Sequence, residues 1–447
     1  MNQPYARRLL SRLWSKYATV VALLLVCVVF SVLTLKEQPM KPAAAARAML
    51  SEVAAAASGE KSPSIIIVTG TTPDENDLAA SLVREAEARE ITVLGKSIGT
   101  PVDGRRLLEG LPKDIHPSAV CVSVEAFEWK VFGDLATKYP HLADAKLLKP
   151  GSVYWPTFFQ TENLLNVAGQ ISVIAILAIG MTVVIITGGI DLSVGSLIAL
   201  SSVVTAILIR DYAGGKEATT LSMIACSAAG IAVCGCSGLF SGVMITQFRI
   251  PSFIVTLAMM LVTSGIAYLL SSGASISDMP AGYVRLGHGA DLLGMPNSVV
   301  LMLVLYGAAH LVMNNSVFGR EVYAVGGNAE AARLSGVSVS LTIIVCYVLS
   351  GLLAGLGGII VASQLKSGSP TYGQMDEMLV IAAVVVGGTS LSGGEGNVMG
   401  TLVGALLIAV IKNGMNLTGV ESYTQKVVLG LVLLGAAVLD SRRADPN

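Results

Sequence analysis

One short stretch, ITGGIDLSVGS at residues 186–196, places a carboxylate, Asp191, between two long apolar runs. A charge at the centre of a membrane helix costs about 2.5–3.5 kcal/mol, so such a residue usually marks a functional site. The neighbouring glycines favour another interpretation, in which Gly188 and Gly189 end one helix and Asp191 caps the next. The sequence therefore predicts a turn between two helices at Asp191, with a role for its charge as the alternative.

A second polar stretch, GGTSLSGGEGNVMG at residues 387–400, repeats this pattern. Three correspondences define the repeat: Gly188-Gly189 with Gly387-Gly388, Asp191 with Ser390, and Leu192-Ser193 with Leu391-Ser392. We interpret the pair as a diverged internal repeat. In membrane transporters, glycine-interrupted segments at corresponding positions of two halves lie near the pathway of the solute.

The third polar stretch, residues 317–339, predicts a short amphipathic helix over about 329–335. Asn328 is a good N-cap, Glu330 suits the positive end of the helix dipole, and Gly336 is a good stop signal. Two interpretations stay open from the residues alone. The helix is either a docking element for a partner or a solvated surface turn.

Other reactive residues do not form a recognisable site. The stretch LGKS at 94–97 resembles the end of a phosphate-binding loop, but Glu90 stands where that loop needs glycine. The two thiols of Cys234-Gly235-Cys236 are too close together for a zinc pair and predict membrane packing. The histidines lack ligand spacing and are His116, His141, His288 and His310. We therefore predict no catalytic residues and no metal site.

The composition explains why polar stretches stand out in this chain. Of its 447 residues, 53% are hydrophobic and 13% charged, against about 25% charged in soluble domains. The net charge of −1 gives no indication of a nucleic-acid partner. Apolar runs long enough to span a bilayer predict helices at about 17–35, 164–187, 192–209, 221–246, 252–271, 298–313, 341–363, 376–387, 398–416 and 424–440. The run at 376–387 is short for a span and suggests a broken or re-entrant helix.

The charges near the two termini predict the orientation of the chain. The first apolar run follows a basic cluster, so we expect a retained first helix with its amino end in the cytoplasm. That cluster comprises Arg7, Arg8, Arg12 and Lys16. Ten helices return the carboxyl terminus to the cytoplasm, where the final stretch DSRRADPN carries two arginines.

A charged segment separates the first helix from the others. Residues 36–160 contain 16 acidic and 14 basic residues, which is 30 of the 59 charged residues in the chain. Strands at 64–70, 91–95 and 119–125 alternate with helices at 74–89, 103–111 and 125–139, so a small parallel α/β unit is expected. The predicted fold is an all-α polytopic membrane protein of about ten transmembrane helices, with a soluble α/β insert between helices 1 and 2. We divide the chain into 1–36, with the cytoplasmic amino end and helix 1; 37–160, the extracytoplasmic insert; and 161–447, the core with helices 2–10.

The three polar stretches together resemble a known family. ITGGIDLSVGSLIAL, GREVYAVGGNAEAARLSGVSV and VVVGGTSLSGGEGNVMGTLVGALLIAVIKNGMNLTGV are similar to the permease subunits of monosaccharide ABC importers of the ribose, xylose and galactose type. The resemblance covers the first helix and residues 155–447. It implies a multi-pass permease of the cell inner membrane that works as a homodimer or with a paralogue. Its partners would be cytoplasmic ATPase subunits and an extracytoplasmic sugar-binding protein.

The resemblance also implies roles for individual residues. The region that couples the permease to the ATPase would comprise Arg320, Gly326, Gly327, Asn328, Glu330, Arg333 and Gly336. Candidates for the translocation pathway are Asp191, Ser193, Thr389, Ser390, Ser392, Asn413 and Asn416. Asn413 and Asn416 share one helix face, and hydrogen bonding between helices is the plain alternative role for each candidate. ATP and Mg²⁺ would bind the ATPase, so this chain is expected to be neither an enzyme nor a cofactor protein.

Three other functions stay open at this stage. Permeases of this type also carry nucleosides or other small polar solutes. An ion-coupled secondary transporter usually needs ionisable residues within its spans, and here these are few. A membrane-anchored receptor would use the insert as its sensor. The insert itself departs from the family, and it either docks or replaces the binding protein or is a packed decoration.

Overall fold

The computed structural model describes residues 19–56, 63–277, 279–292 and 294–444, with only the backbone given at 436, 437 and 439–444. The basic cluster predicted before the first helix therefore lies outside the described residues. So do the arginine side chains of the DSRRADPN stretch. The chain forms two compact units, one of which is the continuous segment Leu35–Pro156. The sequence placed the corresponding domain at 37–160.

The unit Leu35–Pro156 alternates strands with helices. Its strands are β1 (Leu35–Pro39), β2 (Ser64–Thr69), β3 (Thr92–Ile98), β4 (Ala119–Val122), β5 (Lys146–Leu148) and β6 (Ser152–Pro156). Its helices are α2 (Pro42–Ala56), α3 (Pro73–Ala88), α4 (Pro101–Glu109), α5 (Val124–Phe127) and α6 (Leu135–Lys138). Four parallel strands form a sheet in the order β3-β2-β4-β5, and β1 pairs with β6 in an antiparallel ribbon.

Both faces of the parallel sheet are covered. Successive side chains of β2 point to opposite sides of the sheet, and each set is buried in its own cluster. Ile65 and Ile67 belong to one buried cluster with residues of α2 and α3. Ile66 and Val68 belong to a second cluster with residues of α4 and the segment after β4. The near-continuous apolar run of β2 is thus explained by burial on both faces.

The segment after β4 differs from its prediction. One helix was expected over 125–139, but two short helices form, with turns between them. Gly133 lies in this gap and disfavours a continuous helix, and the Trp129 and Phe132 rings stack with centroids 6.5 Å apart. The predicted strand 119–125 ends at Val122 because Ser123 caps α5, where its Oγ accepts the Ala126 amide at 3.1 Å.

A buried carboxylate joins two strand ends of this sheet. Glu75, in the first turn of α3, accepts hydrogen bonds from the Thr72 hydroxyl at 2.7 Å and the Ser123 hydroxyl at 2.5 Å. Burial on its own raises the pKa of Glu75, but these bonds and those from the Thr72 and Gly70 amides bring it below its ordinary value. The ionised form therefore stabilises the fold.

The second unit is helical and contains α1 (Thr19–Leu33). Its remaining helices are α7 (Thr161–Ile186), α8 (Val194–Tyr212), α9 (Thr220–Gln247), α10 (Ser252–Ser271), α11 (Arg285–His288), α12 (Asn297–Asn315), α13 (Val317–Gly327), α14 (Ala329–Leu334), α15 (Val339–Leu365), α16 (Asp376–Val386), α17 (Val398–Leu417) and α18 (Ser422–Ala444). Among the described residues, seven helices are long and apolar enough to cross a membrane: α7, α8, α9, α10, α12, α15 and α17. Of the ten predicted, the first and the last lie in α1 and α18, whose described apolar parts are Thr19–Leu33 and Ser422–Gly435, and 376–387 corresponds to the 11-residue helix α16.

Helix α15 is central to the helical unit and packs on α7, α8 and α9. Glycines bring its backbone close to α9: a Cβ on Gly238 would lie 2.2 Å from the Tyr347 carbonyl oxygen, and one on Gly351 would lie 2.3 Å from that of Cys234. The Cys234 thiol is fully buried in this contact and donates to the Leu197 carbonyl at 3.3 Å. The small residues therefore pack helices together, as predicted.

We expect Glu75→Gln to destabilise the segment Leu35–Pro156 by about 1–3 kcal/mol at pH 7, because a neutral amide replaces the charge-assisted hydrogen bonds from Ser123 and Thr72 with weaker ones. Since folding lowers the pKa of Glu75, its stabilisation is present above the unfolded-state pKa and is lost as the pH falls through the folded-state value. Hydrogen-exchange protection factors of β2 and β4 in the full chain, measured from pH 7 to pH 3, test this.

Glu85→Gln is the matched control, because Glu85 lies on the same helix and makes a partly exposed ion pair with Arg89. Such pairs contribute about 0–1 kcal/mol. Equal protection in the two variants at pH 7 would contradict the role of Glu75.

Candidate functional site

The three polar stretches meet at the carboxyl end of α7. The Gly394 amide donates to the Ile186 carbonyl at 2.8 Å, which joins the second stretch to the end of α7. The Tyr323 hydroxyl of α13 donates to the Gly396 carbonyl at 2.9 Å. At Gly326, a Cβ would lie 1.7 Å from the Ile186 carbonyl oxygen. Stretches far apart in sequence thus form one backbone-to-backbone junction.

The ends of α7 and α16 have the same geometry. Gly188 and Gly388 both adopt left-handed φ angles, +80° and +92°. Beyond them, the Gly189 and Thr389 amides donate to the carbonyls of Val184 and Val384, at 3.1 and 3.2 Å. This is the hydrogen-bond pattern of a glycine-terminated helix.

The internal repeat therefore has a structural counterpart, but its alignment was wrong by one residue at the glycines. Gly188 matches Gly388 rather than Gly387, because in both turns the second residue after the helix must have a positive φ. The Asp191–Ser390 correspondence keeps its original register: the Ser193 amide donates to Asp191 at 3.0 Å, and the Ser392 amide donates to Ser390 at 3.3 Å. The second turn is thus one residue shorter before this bond.

Asp191 is 1% exposed and joins two helices. One carboxylate oxygen accepts from the Ser193 hydroxyl at 2.6 Å, and the other accepts from the Ser350 hydroxyl of α15 at 2.7 Å. The predicted N-cap position was wrong, since the cap of α8 is Ser193 and Asp191 lies two residues earlier. Its carboxylate instead closes a local turn and ties that turn to the middle of α15.

Thr389, Ser390 and Ser392 follow the end of α16. Thr389 is fully buried, and among the described residues its hydroxyl has no hydrogen-bond partner. Ser392 is exposed and Ser390 is half-buried. These three candidates share the junction with Asp191 and Ser193.

Asn413 and Asn416 lie elsewhere. Both are near the carboxyl end of α17, about 24 Å along that helix from its start. The amides of Asn413 and Asn163 exchange two hydrogen bonds, at 2.9 and 3.1 Å. Asn416 accepts from Gln425 at 2.8 Å. The structure therefore engages both residues in bonds between helices.

The predicted coupling region consists of two consecutive helices. Asn328 ends α13 and caps α14, accepting the Ala331 amide at 2.9 Å. Arg333 donates to Glu330 at 2.6 Å, and this bond lowers the pKa of the Glu330 carboxyl. Both side chains are about two-thirds exposed. Gly336 has a φ of +87° and ends the element as predicted.

The remaining coupling candidates differ in their surroundings. Arg320 is exposed on α13. Gly326 faces the α7 end, whereas a Cβ on Gly327 would meet nothing within 4 Å.

A cavity of about 390 Å³ adjoins Thr187 and Gly188 and is lined also by Arg249, Ser252 and Ser340. The exposed face of α14, Arg320 and this cavity are accessible from outside the helical unit.

Sequence reasoning missed the amino end of α16. Glu377 is 7% exposed, and one of its oxygens lies against Gly195 in the first turn of α8. Gly373 packs on the same turn. The signal for this arrangement in the sequence was the shortness of the 376–387 run. A carboxylate in the first turn of a helix is also explained by its favourable interaction with the helix dipole, so it does not by itself indicate burial.

Within the described residues, no group of three histidine, cysteine, aspartate or glutamate side chains could hold a metal ion. The site thus consists of helix ends, hydroxyls, amides and two buried carboxylates. Such an arrangement can exchange hydrogen bonds with a polar solute or with a moving helix.

The helical part of the chain matches a known family. A family described as "Branched-chain amino acid transport system / permease component" matches residues 163–437. The chain belongs to this family. The matched residues include all three polar stretches, and the segment Leu35–Pro156 lies outside them. Family membership assigns the chain to transport rather than catalysis, and its apolar helices make it a multi-pass membrane protein.

Several curated relatives resemble the chain over most of their length. The ribose import permease protein RbsC of Escherichia coli (strain K12) is 42% identical over 297 residues, which is 64% of this chain and 88% of the relative. RbsC of Bacillus subtilis (strain 168) is 39% identical, covering 66% and 89%. The L-arabinose transport system permease protein AraH of Escherichia coli (strain K12) is 37% identical, covering 65% and 85%. No solved structure gives a significant match.

We expect Gly326→Ala to lower the thermal midpoint of the purified permease, because its methyl group would displace the end of α7. Overpacking of this kind costs about 1–3 kcal/mol. Gly327→Ala is the matched control. A Cβ on Gly327 would meet nothing within 4 Å, so this variant should leave the midpoint unchanged. Equal midpoints for the two variants would refute the close contact at Gly326.

Asp191→Asn should keep the fold, because the amide oxygen still accepts from Ser193 and the Ser350 hydroxyl can turn to accept from the amide nitrogen. Asp191→Ala should destabilise it by about 1–3 kcal/mol, since two buried serine hydroxyls lose their acceptor. Thermal unfolding of both variants tests the bonding. Full transport by Asp191→Asn would exclude a function for the charge.

Proposed function

We propose that this chain is the membrane-spanning subunit of an ATP-driven importer for a monosaccharide of the ribose, xylose or galactose class. The relatives named for ribose and L-arabinose support the solute class. The meeting of the three polar stretches carries the proposal, because it connects both turns of the internal repeat to the predicted coupling helices. A displacement of that junction would therefore move the turns that connect α7 to α8 and α16 to α17.

The proposed partner at this junction is a cytoplasmic ATPase subunit that binds ATP and Mg²⁺. Helix α14 presents an exposed ion pair, Glu330–Arg333, on a capped and therefore well-defined element. The last residues of α13 contact the end of α7 directly. Closure of the ATPase would thus displace α13 and α14 and shift the ends of α7 and α16.

The wider assembly follows from the same proposal. A second permease copy or a paralogue would complete the translocation pathway, and an extracytoplasmic binding protein would deliver the sugar. Ten helices would place both termini in the cytoplasm of a cell whose inner membrane holds the complex. The segment Leu35–Pro156 would then be soluble and extracytoplasmic, where it is available to a delivery protein.

Sugar uptake by cells that carry the whole importer tests the solute and the energy source. We expect labelled ribose, xylose or galactose to enter, and uptake to stop on ATP depletion but continue with a proton uncoupler while ATP is held constant. Uptake that stops with the uncoupler instead would establish an ion-coupled transporter. Uptake of nucleosides but no monosaccharide would establish the alternative solute class.

The double variant Glu330→Ala, Arg333→Ala should weaken association with the ATPase at least about tenfold, because it removes both charges of the exposed α14 pair. Co-purification and sugar-stimulated ATP hydrolysis measure this. Arg105→Ala, Glu109→Ala is the matched control, an exposed ion pair on α4. Unchanged assembly and hydrolysis in the α14 variant would reject the coupling role.

A further inference from the structure

The segment between α15 and α16, residues 366–375, carries a polar surface that no role described so far uses. We propose that Tyr268, Thr371 and Gln374 form a subsite that binds the transported monosaccharide through uncharged hydrogen-bonding groups. This proposal rests on the proposed function in sugar import. None of the three was among the candidates from the sequence. The position, exposure and chemistry of this surface support the proposal independently.

The segment runs alongside a membrane-spanning helix. Gly368 lies against Ser202 and Ala206 of α8, and Gly373 lies against Gly195 and Ile198 of the same helix. From Ser202 to Gly195 is about 10 Å along α8. The chain therefore descends beside α8 to the start of that helix before α16 begins.

The start of α8 is deep within the helical unit. The turn before it contacts Tyr347 and Ser350 of α15. Ser350 is far from both ends of α15, which has 27 residues and a length of about 40 Å. Because a bilayer core is about 30 Å thick, residues 371–374 lie at membrane depth.

Polar side chains are nevertheless exposed there. Thr371 and Gln374 are exposed, and Tyr268 of α10 is 38% exposed. The Gln374 amide donates to the Tyr268 hydroxyl at 3.4 Å. Lipid tails offer such groups no hydrogen bonds, so polar side chains at this depth face a water-filled cavity, and the proposed second permease copy would close that cavity into a pathway.

The three groups match a neutral sugar. An amide, a hydroxyl and a phenol supply both donors and acceptors, as sugar hydroxyls require, and none carries a full charge. The tyrosine ring adds an apolar face. A cation or anion would instead require an exposed charge of opposite sign beside these groups. The exposed neighbours Met375 and Met378 are apolar, and exposed Lys366 stands at the other end of the segment.

Backbone and hydroxyl contacts hold the segment rigid. Gly373 and Met375 adopt left-handed φ angles of +72° and +70°. The Ser369 hydroxyl accepts a hydrogen bond from Ser275 and shares one with Thr371, each at 3.0 Å. A rigid surface binds a small solute without a large ordering cost. Buried Glu377, in the first turn of α16, lies against Gly195 of α8.

Cysteine accessibility tests whether sugar reaches this surface. In the assembled importer, Gln374→Cys should react with a membrane-impermeant thiol reagent, and saturating ribose, xylose or galactose should slow the reaction at least about threefold. Lys113→Cys, at an exposed position of the segment Leu35–Pro156, is the control, whose modification should not change with sugar. An unreactive thiol in the Gln374→Cys variant, or one that sugar does not protect, would overturn the proposal.

Transport selectivity separates binding from a structural role. Gln374→Leu should change the relative rates of a monosaccharide and its deoxy analogues at least about threefold. Gln364→Leu is the matched control, because Gln364 bonds to the Gly169 carbonyl between helices, and it should lower all rates together. Unchanged selectivity in Gln374→Leu contradicts the subsite. Failure of the unmodified importer to take up any monosaccharide contradicts the proposed function itself.

Discussion

Helices α8 and α16 begin inside the helical unit. The backbone amides and carbonyls at their first residues need hydrogen-bond partners, and lipid cannot supply them. The turn before α8 meets this constraint with side chains from other helices. The Ile190 amide donates to Ser252, and its carbonyl accepts from Thr256 and Tyr347. Asp191 completes the arrangement by holding Ser350. The positions of α10 and α15 relative to this turn depend on these bonds.

This constraint explains the abundance of small residues around the turns. A buried turn can be satisfied only if neighbouring backbones approach closely, and a side chain at Gly189 would strike the Tyr347 hydroxyl. The same requirement applies at Gly326 and Gly394. Rigid glycine contacts also transmit displacement well, since packed interiors have few voids in which motion is absorbed.

Part of this organisation is readable from the sequence because its signals are local. Apolar runs predict the long helices, and Asn328 and Gly336 predict the ends of α14. The Asp191 cap was misplaced because the first helical residue depends on φ and ψ in a three-residue turn. The glycine alignment was wrong because both turns have similar residues but different lengths.

The site as a whole could not be predicted from the sequence. Nothing local to residues 186, 326 and 394 shows that their backbones touch, because these contacts depend on the packing of entire helices. Glu377 and Gln374 were missed for a related reason. Their depth depends on the path of residues 366–375 beside α8, which periodicity cannot reveal.

The ribbon of β1 and β6 has a consequence for how this chain could arise. It pairs Leu35 with Pro156, so the segment begins and ends at neighbouring points. In the helical unit, the Thr157 amide donates to the Thr34 carbonyl at 3.0 Å. A module with adjacent ends can enter or leave a gene in one event while its host keeps its own connections. The helices of the permease can therefore keep their own connection whether or not the α/β segment stands between Thr34 and Thr157.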